Sequence, residues 1–504
     1  MTETPLEDFL ALGSDRSVTP VVRRLFADSE TPMGLYRKLA GGPGSFLLES
    51  ADQAGKWSRY SFVGVTAHGV LWEHGAEARW TDLGMSAELA FGEDVPSDPL
   101  DALQLLHSRW ISEPIEGLPG FSGGLVGHIG WDAVKFVEKI QSPPGSEANL
   151  PSLHLAMVKD FVAFDHHSSE VILVALTHSL HEPTEAQYQD ALSRLNKMHQ
   201  SLSKPTTSTL HHKKDPDEEL PAPTSSRENF VRMVETAKSH IYEGDVFQVV
   251  LSQEFEFEVN ATPIEVYRVL RSINPSPYMY LLECKDGSGK NYHVVGSSPE
   301  ALVTLKENKV YSHPIAGSRP RGVTPEADSR NATELLADQK EMAEHLMLVD
   351  LARNDLSKIS VAGSVEVTEF MGLEKFSHVM HLVSSVEGRL AQKKTAVDVF
   401  VATFPAGTLS GAPKPRALQL INDLESSPRG LYGGVVGYFG HSGDADLAIT
   451  IRTVCIRGRR ATVRAGAGIV ADSDPLSEFE ETISKASAPA RAIRIANALE
   501  PDSR

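Results

Sequence analysis

Two pairs of glutamates stand three residues apart in stretches that read as helix: Glu341 and Glu344 in KEMAEHLMLVDLARND, and Glu478 and Glu481 in PLSEFEETISKASAPARAI. At that spacing the carboxylates of a pair lie one turn apart on the same helix face. Two such helices can clamp one hard cation, and magnesium suits the arrangement because it takes oxygen ligands and keeps several waters beside an anionic substrate. Paired glutamates are equally what a solvated helix face looks like. Lys485, four residues after Glu481, is spaced to pair with it in either case. Ser297-Ser298-Pro299-Glu300 sets a carboxylate beside a proline turn, as a general acid or as a turn residue only. His381, in the apolar SHVMHLVSS, is a proton handler or a satisfied core histidine. Arg452 is the stronger clue, because an arginine inside the strand-like LAITIRT needs a fixed anionic partner, either a protein carboxylate or a bound substrate.

The elements that carry these groups follow from periodicity. Leu335, Leu336, Met342, Leu346 and Val349 predict one continuous helix over residues 333–355. Ser225-x-x-Glu228 resembles a capping box opening a helix through Phe230, Met233, Val234, Ala237 and Ile241, which Gly244 can stop. Residues 249–259 switch to period two, with Phe255, Phe257 and Val259 on one face. A hairpin is expected over residues 301–305 and 310–315, turning at Glu307-Asn308-Lys309. Upstream, residues 45–49 and 170–176 read as strands and 185–201 as a helix. Strands neighbouring strands, with long single helices, predict an α+β fold. One echo stands out: Gly123-Gly124-Leu-Val-Gly127-His-Ile-Gly130 matches Gly433-Gly434-Val-Val-Gly437-Tyr-Phe-Gly440. Glycines that dense allow close backbone approach, or the two are unrelated glycine-rich strands. Neither is a dinucleotide fingerprint, and nor is Ala465-Gly466-Ala467-Gly468-Ile469, since a helix should follow and strand does.

Composition bounds the function. The 504 residues allow two to four domains, and 41% hydrophobic with 23% charged residues fit a globular protein. A formal charge of −19 repels phosphate backbones and argues against nucleic acid. No apolar run is long enough for a spanning helix, and the acidic N-terminus lacks a signal-peptide core. Two cysteines, Cys284 and Cys455, cannot build a disulfide framework or a cysteine-based zinc site, so a reducing cytoplasm is expected. Residues 203–226 mix Pro, Ser, Thr and charge and read as a linker or surface loop between an N-terminal region, 1–202, and a C-terminal region, 227–504.

Taken together, HPIAGSRPRG, KEMAEHLMLVDLARNDL, KFSHVMHLVSSVEG, FPAGTLSGAPKPRA, RGLYGGVVGYFG, AITIRT, RAGAGIVADSDP and EFEETISKA resemble, in order and form, the chorismate-utilising enzymes. Residues 225–499 carry the resemblance closely, and LLES, WSRYSFVG and FSGGLVGHIGWD extend it more loosely. Within that family the chain is similar to the large subunits of anthranilate synthase. The resemblance implies an α/β sandwich of large antiparallel sheets with outer helices. It implies Mg2+ held by Glu344 and Glu481, with Glu341 and Glu478 supporting them or their waters. Substrate contacts fall on Gly317, Ser318, Tyr432, Arg452, Gly466, Ala467 and Gly468, so that the ion meets one chorismate carboxylate and Arg452 with backbone N–H groups the other. Glu300 resembles the general acid, His381 and Thr408 match groups that orient substrate and assist elimination, and Lys485 takes an electrostatic role. Ser318 departs from the usual threonine but keeps the hydroxyl.

Relatives with other nucleophiles differ at two positions. Isochorismate and salicylate synthases resemble one another in carrying a lysine base where Gln248 stands, and aminodeoxychorismate synthases carry a lysine where Ala316 stands. Water needs a base, whereas ammonia arrives already nucleophilic, so Gln248 argues for amination; Ala316 cannot form a covalent adduct. The implied reaction is ammonia attack ortho to the carboxylate, loss of the hydroxyl and expulsion of pyruvate to give anthranilate, the opening of tryptophan biosynthesis. Neither LLECKDG nor RTVCIRG resembles a glutaminase nucleophile, so a separate glutamine amidotransferase subunit is the implied partner, in a heterotetramer. Glu49 and Ser50, with Pro277, Tyr278 and Met279, resemble the family's tryptophan-binding elements and imply feedback inhibition. The alternatives are an enzyme that stops at aminodeoxyisochorismate and a non-catalytic tryptophan-sensing subunit.

Overall fold

The computed structural model describes residues 3–13, 16–51, 59–138, 140, 150–206, 210–214, 216, 221–375 and 379–501. Trp57 and Ser58 of WSRYSFVG, residues 376–378 of the His381 motif and part of the 203–226 segment lie outside them. Among the described residues, twenty strands join in one hydrogen-bonded network whose pairings are all antiparallel, with helices interspersed, as the α+β expectation requires. Neighbouring residues on its strands face two different cores, as the two-residue period of a strand dictates. Phe46, Leu282 and Val294 enter an inner cluster with Phe121, Trp131 and Phe439. Their neighbours Leu47, Leu281 and Val295 pack outward on helical residues such as Tyr267, Ala490 and Ile493.

Strands from before and after residues 203–226 pair directly. Phe46–Glu49 lies against Tyr278–Lys285, and Gly124–Ile129 against Val435–Gly440. The second pairing resolves the glycine echo in favour of close backbone approach, for Gly127 and Gly437 stand opposite each other. A Cβ on Gly127 would lie 2.0 Å from the His154 carbonyl oxygen, and one on Gly437 2.0 Å from that of Asp446. At the ends of the pair, Gly124 and Gly434 approach Phe439 O and Ile129 O to 2.1 and 2.3 Å in the same measure. The repeated sequence therefore marks two equivalent strands that meet at the middle of the sheet.

Several elements depart from expectation. The 333–355 stretch is two helices, Pro325–Ala337 and Gln339–Ser357. Asp338 breaks them and caps the second, its carboxylate accepting from the N–H groups of Lys340 and Glu341 at 3.0 and 3.3 Å. The turn rotates the apolar stripe: Leu335 and Val349 are buried, but Leu336 and Leu346 are exposed, and His345, Leu348, Ala352 and Leu356 face inward instead. The helix Arg227–Tyr242 is capped one residue later than expected, by Ser226 accepting from Asn229 N–H. The hairpin forms with Glu307 and Asn308 at positive φ, yet its second strand stops at Ser312, because Pro314 lacks a donor, and resumes as Ile315–Pro320. Arg452 is not inside a strand: it sits between Ala445–Ile449 and Thr453–Arg457 with φ of 50°.

Candidate active site

Three structural units bring the sequence-nominated groups together. The first is the pair of antiparallel strands Ile315–Pro320 and Val379–Arg389, in which Ser318 stands opposite His381. The register slips at Gly317, whose φ of 71° is one that L side chains rarely adopt. That bulge turns the Gly317 carbonyl to accept from His381 Nδ1 at 3.0 Å. It also brings Gly317 so close to the next helix that a Cβ there would lie 3.2 Å from Glu341 Oε2. Burial holds the His381 imidazole below its ordinary pKa, which keeps it neutral.

The second unit is the helix Gln339–Ser357. Glu341 pairs with Arg319 at 3.3 Å, while Glu344 accepts from Gln248 Nε2 at 3.1 Å. Gln248 begins the strand Gln248–Glu258, and its side chain lies over Gly468 on the adjacent strand Arg460–Ile469. Burial first and Glu341 second push the Glu344 carboxyl upward. The third unit is the helix Pro475–Asn497, where Glu481 and Lys485 pair at 2.6 Å and Lys485 Nζ donates to Gly466 O at 3.2 Å. Glu478, one turn away, is raised by burial and by Glu481. Gly466 is itself a close-approach position, since a Cβ there would meet Tyr432 Oη at 2.6 Å; Ala467 beside it is fully buried.

Glu300 and Arg452 complete the constellation. Glu300 follows the strand Asn291–Ser298 and accepts from Thr408 Oγ1 at 3.1 Å. Burial pushes its carboxyl up to about 7, against the opposing pull of Thr408, Lys485 and Arg452. It is therefore an acid available in its protonated form near neutrality. Arg452 takes a left-handed backbone angle that strands do not use, and its carbonyl accepts from Ser297 N–H at 3.3 Å. Its guanidinium is buried, which lowers its pKa, and Glu300 acts on it electrostatically in the opposite sense.

The four glutamates fit a hard cation. Their donors are all oxygen, and Glu344 and Glu478 are raised by like charge as well as burial, a strain that a cation relieves. Among the described residues, no three of their oxygens lie within 4.8 Å of one another. The one tight trio among the described residues, His240, Glu243 and Asp245, is already engaged through Arg416 on Asp245.

At a distance from this centre, Glu49 stands opposite Met279 across the Phe46–Glu49 and Tyr278–Lys285 pairing, so the two separated segments do meet. Glu49 is held by Tyr267 Oη at 2.7 Å and by Arg271. Tyr278 Oη donates to Asp446 at 3.0 Å, and Ser50 Oγ, adjoining them, is buried without a hydrogen-bond partner. Pro277 leads into the same strand.

Sequence reasoning missed Asp338, which orients the helix bearing Glu341 and Glu344; the signal was present as Asp338-x-x-Glu341, the form of a helix cap. It also missed the buried Arg429–Glu425 pair at 2.6 Å, which accepts Ser252 N–H and places Arg429 under the Tyr432 ring. Nothing local in the sequence announces that network.

The profile of the family described as chorismate binding enzyme matches residues 67–491 of this chain. The anthranilate synthase component 1 of Arthrobacter globiformis is 48% identical over 99% of this chain and 95% of its own length. That of Mycolicibacterium smegmatis is 46% identical over 98% and 94%. The crystal structure of anthranilate synthase component I from Streptococcus pneumoniae superposes with a TM-score of 0.75 at 35% identity, covering 92% of this chain and 98% of that one. The menaquinone-specific isochorismate synthase of Escherichia coli shares the fold, with a TM-score of 0.69 at 16% identity over 95% of each chain. The chain belongs to the chorismate-binding enzymes and, within them, to the anthranilate synthase component 1 family.

Proposed function

We propose that this chain converts chorismate and ammonia to anthranilate and pyruvate, as the large subunit of an anthranilate synthase. The observation that carries the reading is Gln248. An amide cannot take up a proton, and here it donates to Glu344, so no side chain at that position activates water. The nucleophile must arrive already nucleophilic, as ammonia does. Arg452, buried and facing Glu300 electrostatically, and the backbone of residues 466–468 bind one substrate carboxylate. His381, fixed on Gly317 O, and Ser318 orient the ring. Glu300, protonated near neutrality and oriented by Thr408, delivers a proton to the departing hydroxyl. His381, neutral, is the candidate to assist the elimination that expels pyruvate. Glu344 and Glu481, with Glu341 and Glu478 behind them, would hold magnesium, which would supply positive charge against the other substrate carboxylate.

The component 1 names of the relatives support a second component, and a glutaminase subunit supplying the ammonia is the partner this reading calls for. Tryptophan, the end product of the pathway this step opens, is proposed to bind where Glu49 and Ser50 meet Pro277, Tyr278 and Met279. The cytoplasm is the compartment that fits; no helix among the described residues is long and apolar enough to cross a membrane. Supplying the full chain with chorismate, ammonium and magnesium tests the reading. Anthranilate fluorescence that disappears on chelation is expected, and no turnover, which would favour a sensing subunit, contradicts it.

A further inference from the structure

The two helices that carry the paired glutamates are fastened to the sheet in the same way. In Glu341-Met342-Ala343-Glu344-His345 and in Glu478-Phe479-Glu480-Glu481-Thr482, a fully buried polar residue directly follows the second glutamate, four positions after the first. Each meets a polar side chain on a strand beneath its helix. His345 Nε2 lies 2.6 Å from Ser384 Oγ, on the strand that bears His381. Gln253 Nε2, on the strand that begins at Gln248, donates to Thr482 Oγ1 at 2.5 Å. Both strand residues are buried and held by backbone bonds of their own: Ser384 N–H donates to Pro314 O at 3.1 Å, and Gln253 is paired with Ala465 in the sheet.

Packing alone does not call for these pairs. Leu348, Val349 and Leu356 on the first helix, and Phe479, Ala486 and Ala490 on the second, are buried and apolar. Each pair leaves a buried polar atom with no hydrogen-bond partner among the described residues, Nδ1 of His345 and Oε1 of Gln253. An unpaired buried polar atom is costly, whereas apolar groups of the same shape in place of both partners would be nearly neutral. What apolar burial does not supply is direction; a hydrogen bond weakens steeply as its angle departs from linear. Successive side chains on a helix point about 100° apart, so fixing residue 345 or 482 against the sheet fixes the direction of the glutamate beside it.

We infer that His345–Ser384 and Gln253–Thr482 are positioning pairs that set the rotation of the two helices, and through it the spacing of the four glutamates that would hold a divalent cation. The inference rests on the proposed function for the cation, and on the two hydrogen bonds for the positioning. Glu341 and Glu344 turn with residue 345, and Glu478 and Glu481 with residue 482. Loss of either pair therefore frees two of the four carboxylates to drift while leaving all four in the chain.

The test is binding of Mn2+ alone to the full chain, read from the electron paramagnetic resonance of the free ion, since Mn2+ shares the oxygen preference of Mg2+. Urea unfolding without metal and chorismate kinetics with ammonium at varied magnesium run beside it. The natural protein is compared with Gln253→Leu combined with Thr482→Val, with Ser384→Ala, and with Thr482→Ser, which keeps the hydroxyl. Mn2+ affinity and the magnesium requirement are expected to weaken about tenfold in the double variant and in Ser384→Ala, the lower end of what groups supporting metal ligands contribute. The KM for chorismate at saturating magnesium should be unchanged, the double variant should keep the natural urea midpoint, and Thr482→Ser should bind Mn2+ as the natural protein does. Natural Mn2+ affinity in the double variant and in Ser384→Ala overturns the inference and leaves the metal assignment standing. So does a loss of affinity that follows a fall in urea midpoint, or one that Thr482→Ser shares. A natural protein that binds no Mn2+, or binds it equally well after Glu481→Gln, refutes the cation assignment itself and removes the inference with it.

Discussion

At the scale of single residues, Glu300 is the group on which the chemistry turns. Its carboxyl is pushed up to about 7 by burial, so the acid form dominates below that pH and is lost above it. Catalysis that needs the acid form declines as pH rises through 7, and kcat profiles of the full chain should show that limb. Glu300→Gln should lower kcat by about 10²- to 10⁴-fold, the range of general-acid contributions, with little change in the KM for chorismate. A kcat that keeps its alkaline limb in the variant would assign the limb to another group. Its own tetrapeptide shows Glu300 only as a carboxylate beside a proline, and the general-acid role came from the family resemblance; its partner Thr408 lies 108 residues away, and only folding supplies the burial that shifts it.

At the scale of elements, the glycine-matched strands Gly124–Ile129 and Val435–Gly440 hold the middle of the sheet together. Gly437→Ala would place a methyl 2.0 Å from a backbone carbonyl that cannot move alone. We expect a loss of about 2–3 kcal/mol in urea unfolding, the cost of overpacking, and Gly127→Ala should match it. A loss below the measurement error would show that the strands separate easily. The pairing of Phe46–Glu49 with Tyr278–Lys285 carries a regulatory expectation. Ser50→Leu, which replaces the unpartnered hydroxyl, should raise the tryptophan concentration for half-inhibition severalfold while sparing turnover; unchanged sensitivity would remove Ser50 from that role. Periodicity made most strands and the helices Glu185–Leu202 and Arg227–Tyr242 readable, because each has one apolar face. It failed over residues 333–355, where a run of good helix formers hides the break at Asp338. It failed again at Arg452, because a positive φ in a non-glycine residue is imposed by tertiary contacts.

At the scale of the whole molecule, His68, His178 and His441 cluster in the interior, with His178 and His441 ring nitrogens 3.1 Å apart and His68 packed edge-on against His178 at 4.5 Å. Burial lowers all three, His68 and His441 to about 3. Each is neutral in the fold and takes up a proton near pH 6.5 when unfolded, so the unfolded state binds more protons in acid. Stability is thus full above pH 6.5 and falls as pH drops from 6.5 toward 3. Urea midpoints should decline across that window, and His68→Leu, whose ring nitrogens have no partners to lose, should flatten the decline. An unchanged slope would mean that the cluster is not the source. None of these histidines signals its neighbours in sequence, whereas the eight motifs that carry the family likeness each sit in one short segment.

The most direct test of the central claim is to supply the full chain with chorismate, magnesium and nitrogen-15 ammonium and identify the products by mass and nuclear magnetic resonance. The account predicts anthranilate with the label on the ring carbon ortho to the carboxylate and an equal amount of pyruvate. A para-amino, hydroxylated or pyruvate-retaining product would contradict it.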